Sequence, residues 1–168
     1  VYLIFTNEEN FFGFSEKNEV RKRPKKSKKH PHELDWKLTR VMINLVGLKK
    51  GETLCDPFCG TGTTLLESES MGINSIGIDF DENMCEISKE NLKINNYKSK
   101  ILKSDFQELV KISNDFDGIV TDLPYGRSSK ASEKPEEILK RFISIIPKNK
   151  KIAIMYKKEL DPKMKLKG

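Results

Sequence analysis

Between residues 53 and 156 the chain repeats one pattern: a short apolar run, a turn, an amphipathic stretch, then another short apolar run. The runs at 53–56, 73–78, 100–103, 116–121 and 151–156 read as strands. The stretches 61–71, 82–95, 106–112 and 136–145 between them read as helices. Gly72 closes the first helix and Pro147 follows the last, as helix-stop residues do. A strand that is followed by a helix before each next strand pairs with it in parallel, through a right-handed crossover. The expected fold is therefore α/β, a doubly wound and mostly parallel sheet. Ligands of such sheets bind at the carboxyl ends of the strands. Four of those ends here carry an acid: Asp56, Asp79, Asp105 and Asp122.

Upstream of this rhythm, residues 1–5 and 11–14 look like two short strands around the turn-prone 6–10. Residues 1–16 are thus expected to be a hairpin that ends an upstream segment. Residues 17–33, polar and basic with Pro24 and Pro31, read as a linker. In 34–46 the apolar positions Leu34, Leu38, Met42 and Leu45 recur at helical spacing, with Gly47 where a C-cap belongs. The sheet domain is expected to run over 34–168. A chain of 168 residues and 19.4 kDa has room for one such domain. No apolar run approaches the roughly 18 to 20 residues of a membrane helix, so a membrane partner is not expected. The chain does not open on Met, and a fragment of a longer protein is expected.

Cys55, Cys59 and Cys85 have neither zinc-knuckle nor redox-pair spacing, which points to buried free thiols in a reducing, cytoplasmic setting. His30 and His32 are too few for a metal site, so no metal is expected. The net charge of +6 is unevenly spread. Residues 17–29 hold eight Lys or Arg against Glu19, an excess of +7, and residues 148–168 hold eight Lys against two acids, an excess of +6. That leaves the rest of the chain at −7. Two basic flanks on an acidic body suit a polyanion, because cations that neutralise phosphates release condensed counterions.

The strand-end motifs narrow the chemistry. The first strand runs into Asp56-Pro57-Phe58-Cys59-Gly60-Thr61-Gly62. Two glycines one apart allow a sharp turn and close approach to a ligand. No Gly-Lys-Ser/Thr follows, which excludes a P-loop, and the third glycine of the dinucleotide fingerprint is absent. Asp79 lies 23 positions after Asp56, about the spacing at which an acid meets a ribose. At the third strand Asp105 can accept from an adenine amino group while Phe106 covers the ring. Taken singly, each acid serves equally as a helix N-cap. Three in register point to an adenosine-type cofactor.

The fourth strand ends in Asp122-Leu123-Pro124-Tyr125-Gly126. Together with the glycine turn and the ribose acid, this resembles the S-adenosylmethionine-dependent methyltransferases that act on exocyclic amines of nucleobases. Residues 122–130 (DLPYGRSSK), with His30-Pro31 upstream, are similar to the archaeal and eukaryotic tRNA guanine-N2 methyltransferases, most of all those modifying position 10. Leu123 stands where the tetrapeptide usually has its first proline, which keeps the carbonyl and loosens the turn.

The resemblance implies a Rossmann-like class I methyltransferase that lacks its last strands and has an RNA-binding domain of the THUMP type upstream. It implies S-adenosylmethionine held by Asp56, Phe58, Gly60, Thr61, Gly62, Asp79, Phe80, Asp105 and Phe106. Asp122 and the Leu123 carbonyl would accept the guanine amine hydrogens. Pro124 would shape the turn and Tyr125 would stack on the extracted base. Arg21, Lys22 and Arg23 in the basic flank, with Arg127 and Ser128 beyond the tetrapeptide, are the expected RNA contacts, and tRNA is the expected partner. Two rivals stay open on the residues alone. One is an rRNA guanine-N2 or DNA adenine-N6 methyltransferase, and the other is a non-catalytic RNA-binding module.

Overall fold

A computed structural model of the chain describes residues 2–5, 10–13, 23–28, 33–124 and 135–156. Strands β1 (Tyr2–Phe5) and β2 (Asn10–Gly13) pair antiparallel, Tyr2 opposite Gly13 and Phe5 opposite Asn10. Then come α1 (Trp36–Val46), β3 (Thr53–Asp56), α2 (Thr63–Ser70), β4 (Asn74–Asp79) and α3 (Glu82–Ile94). β5 (Lys100–Lys103), a 3-10 helix (Phe106–Val110), β6 (Gly118–Asp122), α4 (Pro135–Ile145) and β7 (Lys151–Met155) complete the series.

Strands β3 to β7 form one parallel sheet in the order β5-β4-β3-β6-β7. The strand that comes first in sequence is therefore central. The chain winds outward from it to β5, then returns to the other side for β6 and β7. The reversal falls between β3 and β6, where the crevice of a doubly wound sheet opens. Because successive strand residues face opposite sides, Cys55 and Ile119 join a core with Leu109, Phe116, Leu139 and Phe142. Their neighbours Leu54 and Val120 join a second core with Met42, Ile43 and Val46 of α1.

Of the apolar stripe expected on α1, Met42 is in the core and Leu34 packs against it, whereas Leu38 and Leu45 turn outward. Asp35 caps α1, accepting from the backbone N–H groups of Lys37 and Leu38, so Leu34 precedes the helix. Thr39, Met42, Ile43 and Val46 are buried, while Leu45 is 76% exposed and Leu38 is also exposed. The sequence carries two apolar stripes, and the buried one includes a threonine whose hydroxyl is satisfied by the Asp35 carbonyl at 3.0 Å. Gly47 takes the left-handed conformation at the C-cap, φ 64°, as expected. The short helix expected at 106–112 is a 3-10 helix of five residues.

Residues 23–28 run along α3. Asn95 exchanges hydrogen bonds with the backbone N–H and carbonyl of Lys25, at 2.8 and 2.7 Å. The buried Asn91 does the same with the Ser27 N–H and the Lys28 carbonyl, at 3.0 and 3.1 Å.

Candidate active site

The turn after β3 is built by its own polar groups. The buried Asp56 accepts from the Phe58 N–H at 3.1 Å and from the Thr121 hydroxyl on β6 at 2.7 Å. Cys59 N–H donates to the Ile78 carbonyl at 3.0 Å, and Gly60 N–H donates to Asp79 Oδ2 at 2.9 Å. These bonds lay the turn across the end of β4. Gly62 then caps α2 with φ 83°, and a Cβ there would lie 2.4 Å from Ser88 Oγ. Only glycine meets both conditions. Gly60, φ 50°, lines the cavity described below, and apart from its own chain neighbours no described residue comes within 4 Å of where its Cβ would be.

The acids differ in how they are held. Asp79 uses one oxygen for Gly60 and the other for the Asp81 N–H at 2.9 Å, and burial still pushes its carboxyl above the ordinary value. Burial pushes Asp56 up to about 6. Hydrogen bonds from Thr121, Thr64 and Phe58 oppose that rise, and the charge of Asp122 adds to it. Asp105 caps the 3-10 helix, accepting from the Gln107 N–H at 3.0 Å, and faces the cavity as well. The buried thiols of Cys55 and Cys59 are pushed well above the normal cysteine range, mainly by burial. They stay protonated and act as packing groups.

A cavity of about 400 Å³ opens over these strand ends, a size suited to one nucleoside-sized ligand. Asp56, Phe58, Gly60 and Thr61 line it from β3, Asp79 and Phe80 from β4, Asp105 and Phe106 from β5, and Asp122 and Pro124 from β6. The topology thus gathers ten of the sequence-selected residues at one crevice. Phe58 and Phe106 stack at 5.1 Å between centroids, and Phe142 of α4 meets them edge-on at 5.7 and 6.0 Å. Gly62 shapes the turn without lining the cavity. Leu123 is buried, and its N–H donates to the Met155 carbonyl on β7 at 3.2 Å. Arg23 is not at the cavity; its guanidinium lies 5.2 Å over the Trp36 ring. Arg21, Lys22, Tyr125, Arg127, Ser128 and the His30-Pro31 pair lie outside the described residues.

Sequence reasoning missed Lys26 and Glu33. Glu33 lines the cavity, and Lys26, on the segment along α3, pairs with Glu33 Oε2 at 2.6 Å. Lys26 sits in a run of similar cations, and nothing in its neighbours distinguishes it. Glu33 carried a weak signal as the first acid after the basic run.

The model of the RMKL-like methyltransferase domain family matches residues 21–164. The chain belongs to that family. This RMKL-like methyltransferase domain is 41% identical over 118 residues to the tRNA (guanine(10)-N2)-dimethyltransferase of Methanothermobacter thermautotrophicus, covering 68% of the chain and 34% of that protein. It is 34% identical over 176 residues to the enzyme of the same name from Methanocaldococcus jannaschii, covering 95% and 50%. The chain thus spans half or less of the length of these relatives. Among solved structures, TrmN from Thermus thermophilus superposes with a TM-score of 0.58 at 21% identity, over 72% of this chain and 38% of that one. That likeness concerns the fold, and it agrees with the doubly wound sheet anticipated from the strand–helix rhythm.

Proposed function

We propose that this RMKL-like methyltransferase domain moves a methyl group from S-adenosylmethionine to the exocyclic N2 of a guanine in tRNA. One observation carries the reading: Asp122 and Pro124 of the fourth strand-end motif share a single cavity with the glycine turn, Asp79 and Phe106. The names of the two archaeal relatives support the choice of tRNA guanine over rRNA, DNA or a non-catalytic role. The cavity fits the cofactor in size, in its open space over Gly60, and in its acids and aromatic wall. S-adenosylmethionine supplies, when bound, a methyl group on a positively charged sulfur.

This chain's own residues then have distinct tasks. Asp79 anchors the glycine turn and presents the remaining lone pairs of its oxygens toward ribose hydroxyls. Phe106 offers a ring face and Asp105 a carboxylate to an adenine. Asp122 accepts a hydrogen of the target amine, which draws the nitrogen lone pair out of conjugation, and it takes the proton as the new bond forms. A general base of this kind contributes about 10² to 10⁴ in rate. Holding the amine in line contributes comparably. Tyr125 stacks on the extracted base, and Arg21, Lys22, Arg23, Arg127 and Ser128 contact RNA. No described helix is long and apolar enough to cross a membrane, and the proposed site of action is the cytoplasm.

The test is incubation with radiolabelled cofactor and separate tRNA, rRNA and duplex DNA, followed by mass spectrometry of the nucleosides. N2-methylated guanosine from tRNA is expected. Label in adenine, or in none of the three, overturns the reading. Asp122→Ala is expected to abolish transfer and leave cofactor affinity within a few fold; unchanged turnover removes Asp122 from its role.

A further inference from the structure

Two stretches far apart in sequence carry cations and no acid. Residues 23–28 hold Arg23, Lys25, Lys26 and Lys28, and residues 91–104 hold Lys93, Lys98, Lys100 and Lys103. The fold brings them together at the C-terminal end of α3. Asn95 holds Lys25 there by its backbone N–H and carbonyl, at 2.8 and 2.7 Å. One turn earlier Asn91 holds the Ser27 N–H and the Lys28 carbonyl. Two side-chain amides thus fix a basic segment whose composition alone reads as a solvated linker.

On the other flank of the helix Lys89, Lys93 and Lys98 line a shallow groove of about 340 Å³, with the buried Leu92 and the half-buried Tyr97. Lys93 and Asn95 are two positions apart, which separates their side chains by about 200° around the helix axis. The end of α3 therefore carries a lysine on each flank, with the exposed Ile94 between them. Lys28, Lys89 and Lys103 are paired, with Glu90, Glu86 and Glu82. Among the described residues no acid pairs with Lys25, Lys93, Lys98 or Lys100, and all four are exposed. The carboxylate of Glu69, behind the groove, is engaged by the hydroxyls of Ser99 and Ser75. Lys93 lies in the last turn, where a cation complements the helix dipole, but that accounts for neither Lys25 nor Lys98.

We propose that this end of α3 is a phosphate-binding face, formed by Lys25, Lys93 and Lys98, that grips a stretch of RNA backbone remote from the nucleotide in the crevice. The helix begins beside the crevice, after Asp81, and runs 13 residues away from it, about 20 Å. Contacts to phosphate there position the RNA without reading its sequence. Because the backbone bearing Lys25 is already held, little ordering remains to be lost on binding. One exposed apolar side chain, Ile94, is too little for the core of a protein interface, which favours RNA as the occupant. The inference rests on the reading of RNA as the substrate and adds to it a surface that none of the strand ends supplies.

Fluorescence anisotropy of a labelled tRNA transcript, titrated with this chain over a range of salt concentrations, tests this. The slope of log affinity against log salt counts the phosphates neutralised. Lys93→Gln combined with Lys98→Gln is expected to reduce that slope by about 2 and to weaken binding severalfold. Lys25→Gln is expected to reduce it by about 1. Lys148→Gln removes an exposed charge from the turn between α4 and β7 and is expected to leave the slope as it is. Calorimetry with S-adenosylhomocysteine reports that the double variant is folded. An unaltered slope in the double variant, an equal fall in Lys148→Gln, or no RNA binding by the unmodified chain overturns the face. So does preference for polyglutamate over RNA, which identifies an acidic protein as the occupant. The methyl-transfer reading fails separately, when no N2-methylguanosine forms although the slopes differ as expected.

Discussion

The Thr121 hydroxyl of β6 donates to Asp56 Oδ1 of β3 across 2.7 Å, in the protein interior. The ladder between the two strands runs through Leu54–Gly118 and Cys55–Ile119, and this bond lies just beyond it, where the crevice begins. Thr121→Val keeps the side-chain shape and removes the donor. The variant is expected to lose about 1–2 kcal/mol, the worth of one buried hydrogen bond to a carboxyl that keeps its bond from the Phe58 N–H. Urea unfolding at pH 7 measures it, and a loss below about 0.5 kcal/mol counts against the bond.

Asp56 itself is a destabilising charge at neutral pH. Its folded value of about 6 lies above the ordinary 3.8, so the folded chain holds its proton more tightly than the unfolded chain does. The associated stability is complete below pH 4 and is lost as pH rises through 6. The two-unit difference corresponds to about 3 kcal/mol. Asp56→Asn retains an oxygen to accept from Thr121 and Phe58. It is expected to stabilise the protein at pH 7.5 and to do so much less at pH 4.5. An equal increment at both pH values, in parallel denaturant titrations, contradicts the assigned shift.

Asp79→Ala removes the acceptor of two backbone N–H groups, those of Gly60 and Asp81. The glycine turn loses its anchor to β4 at the same time as the proposed ribose contact disappears. Affinity for S-adenosylhomocysteine is expected to fall at least ~10-fold, with a stability loss of about 1–2 kcal/mol. Calorimetry showing unaltered binding argues against both roles.

Arg40 pairs with Glu67 at 2.7 Å and reaches Ser70 at 3.0 Å, away from the cavity. Glu67 is buried, while Arg40 is a quarter exposed. Arg40→Ala strands the carboxylate and is expected to cost about 2–3 kcal/mol, less than the 3–5 of a fully enclosed pair because water reaches the vacated side. Arg40→Ala combined with Glu67→Gln is expected to recover part of that loss. A thermal-unfolding cycle across the single and double variants measures the coupling, and additive losses indicate that the pair contributes nothing.

The strand ends were legible in the sequence because period and topology decide them. Once strand alternates with helix, the acids at 56, 79, 105 and 122 must approach one edge of the sheet, whatever the side chains between them do. The face of α1 was not legible, because Leu38, Val41 and Leu45 form as good a stripe as Met42, Ile43 and Val46. Contact with α2, β6 and β7 separates the two. Asp105 illustrates a real ambiguity, since it is both a cap and a cavity wall. The Lys26–Glu33 pair was invisible because its placement depends on Asn91 and Asn95, residues some 65 to 70 positions away that clamp a basic stretch to a helix flank.

Phe106 forms part of the cavity wall, and Phe142 of α4 rests against its edge. In sequence, α4 begins where the segment leading away from Pro124 ends. An occupant of the cavity that presses on Phe106 therefore also bears on Phe142, and α4 feels what the crevice holds.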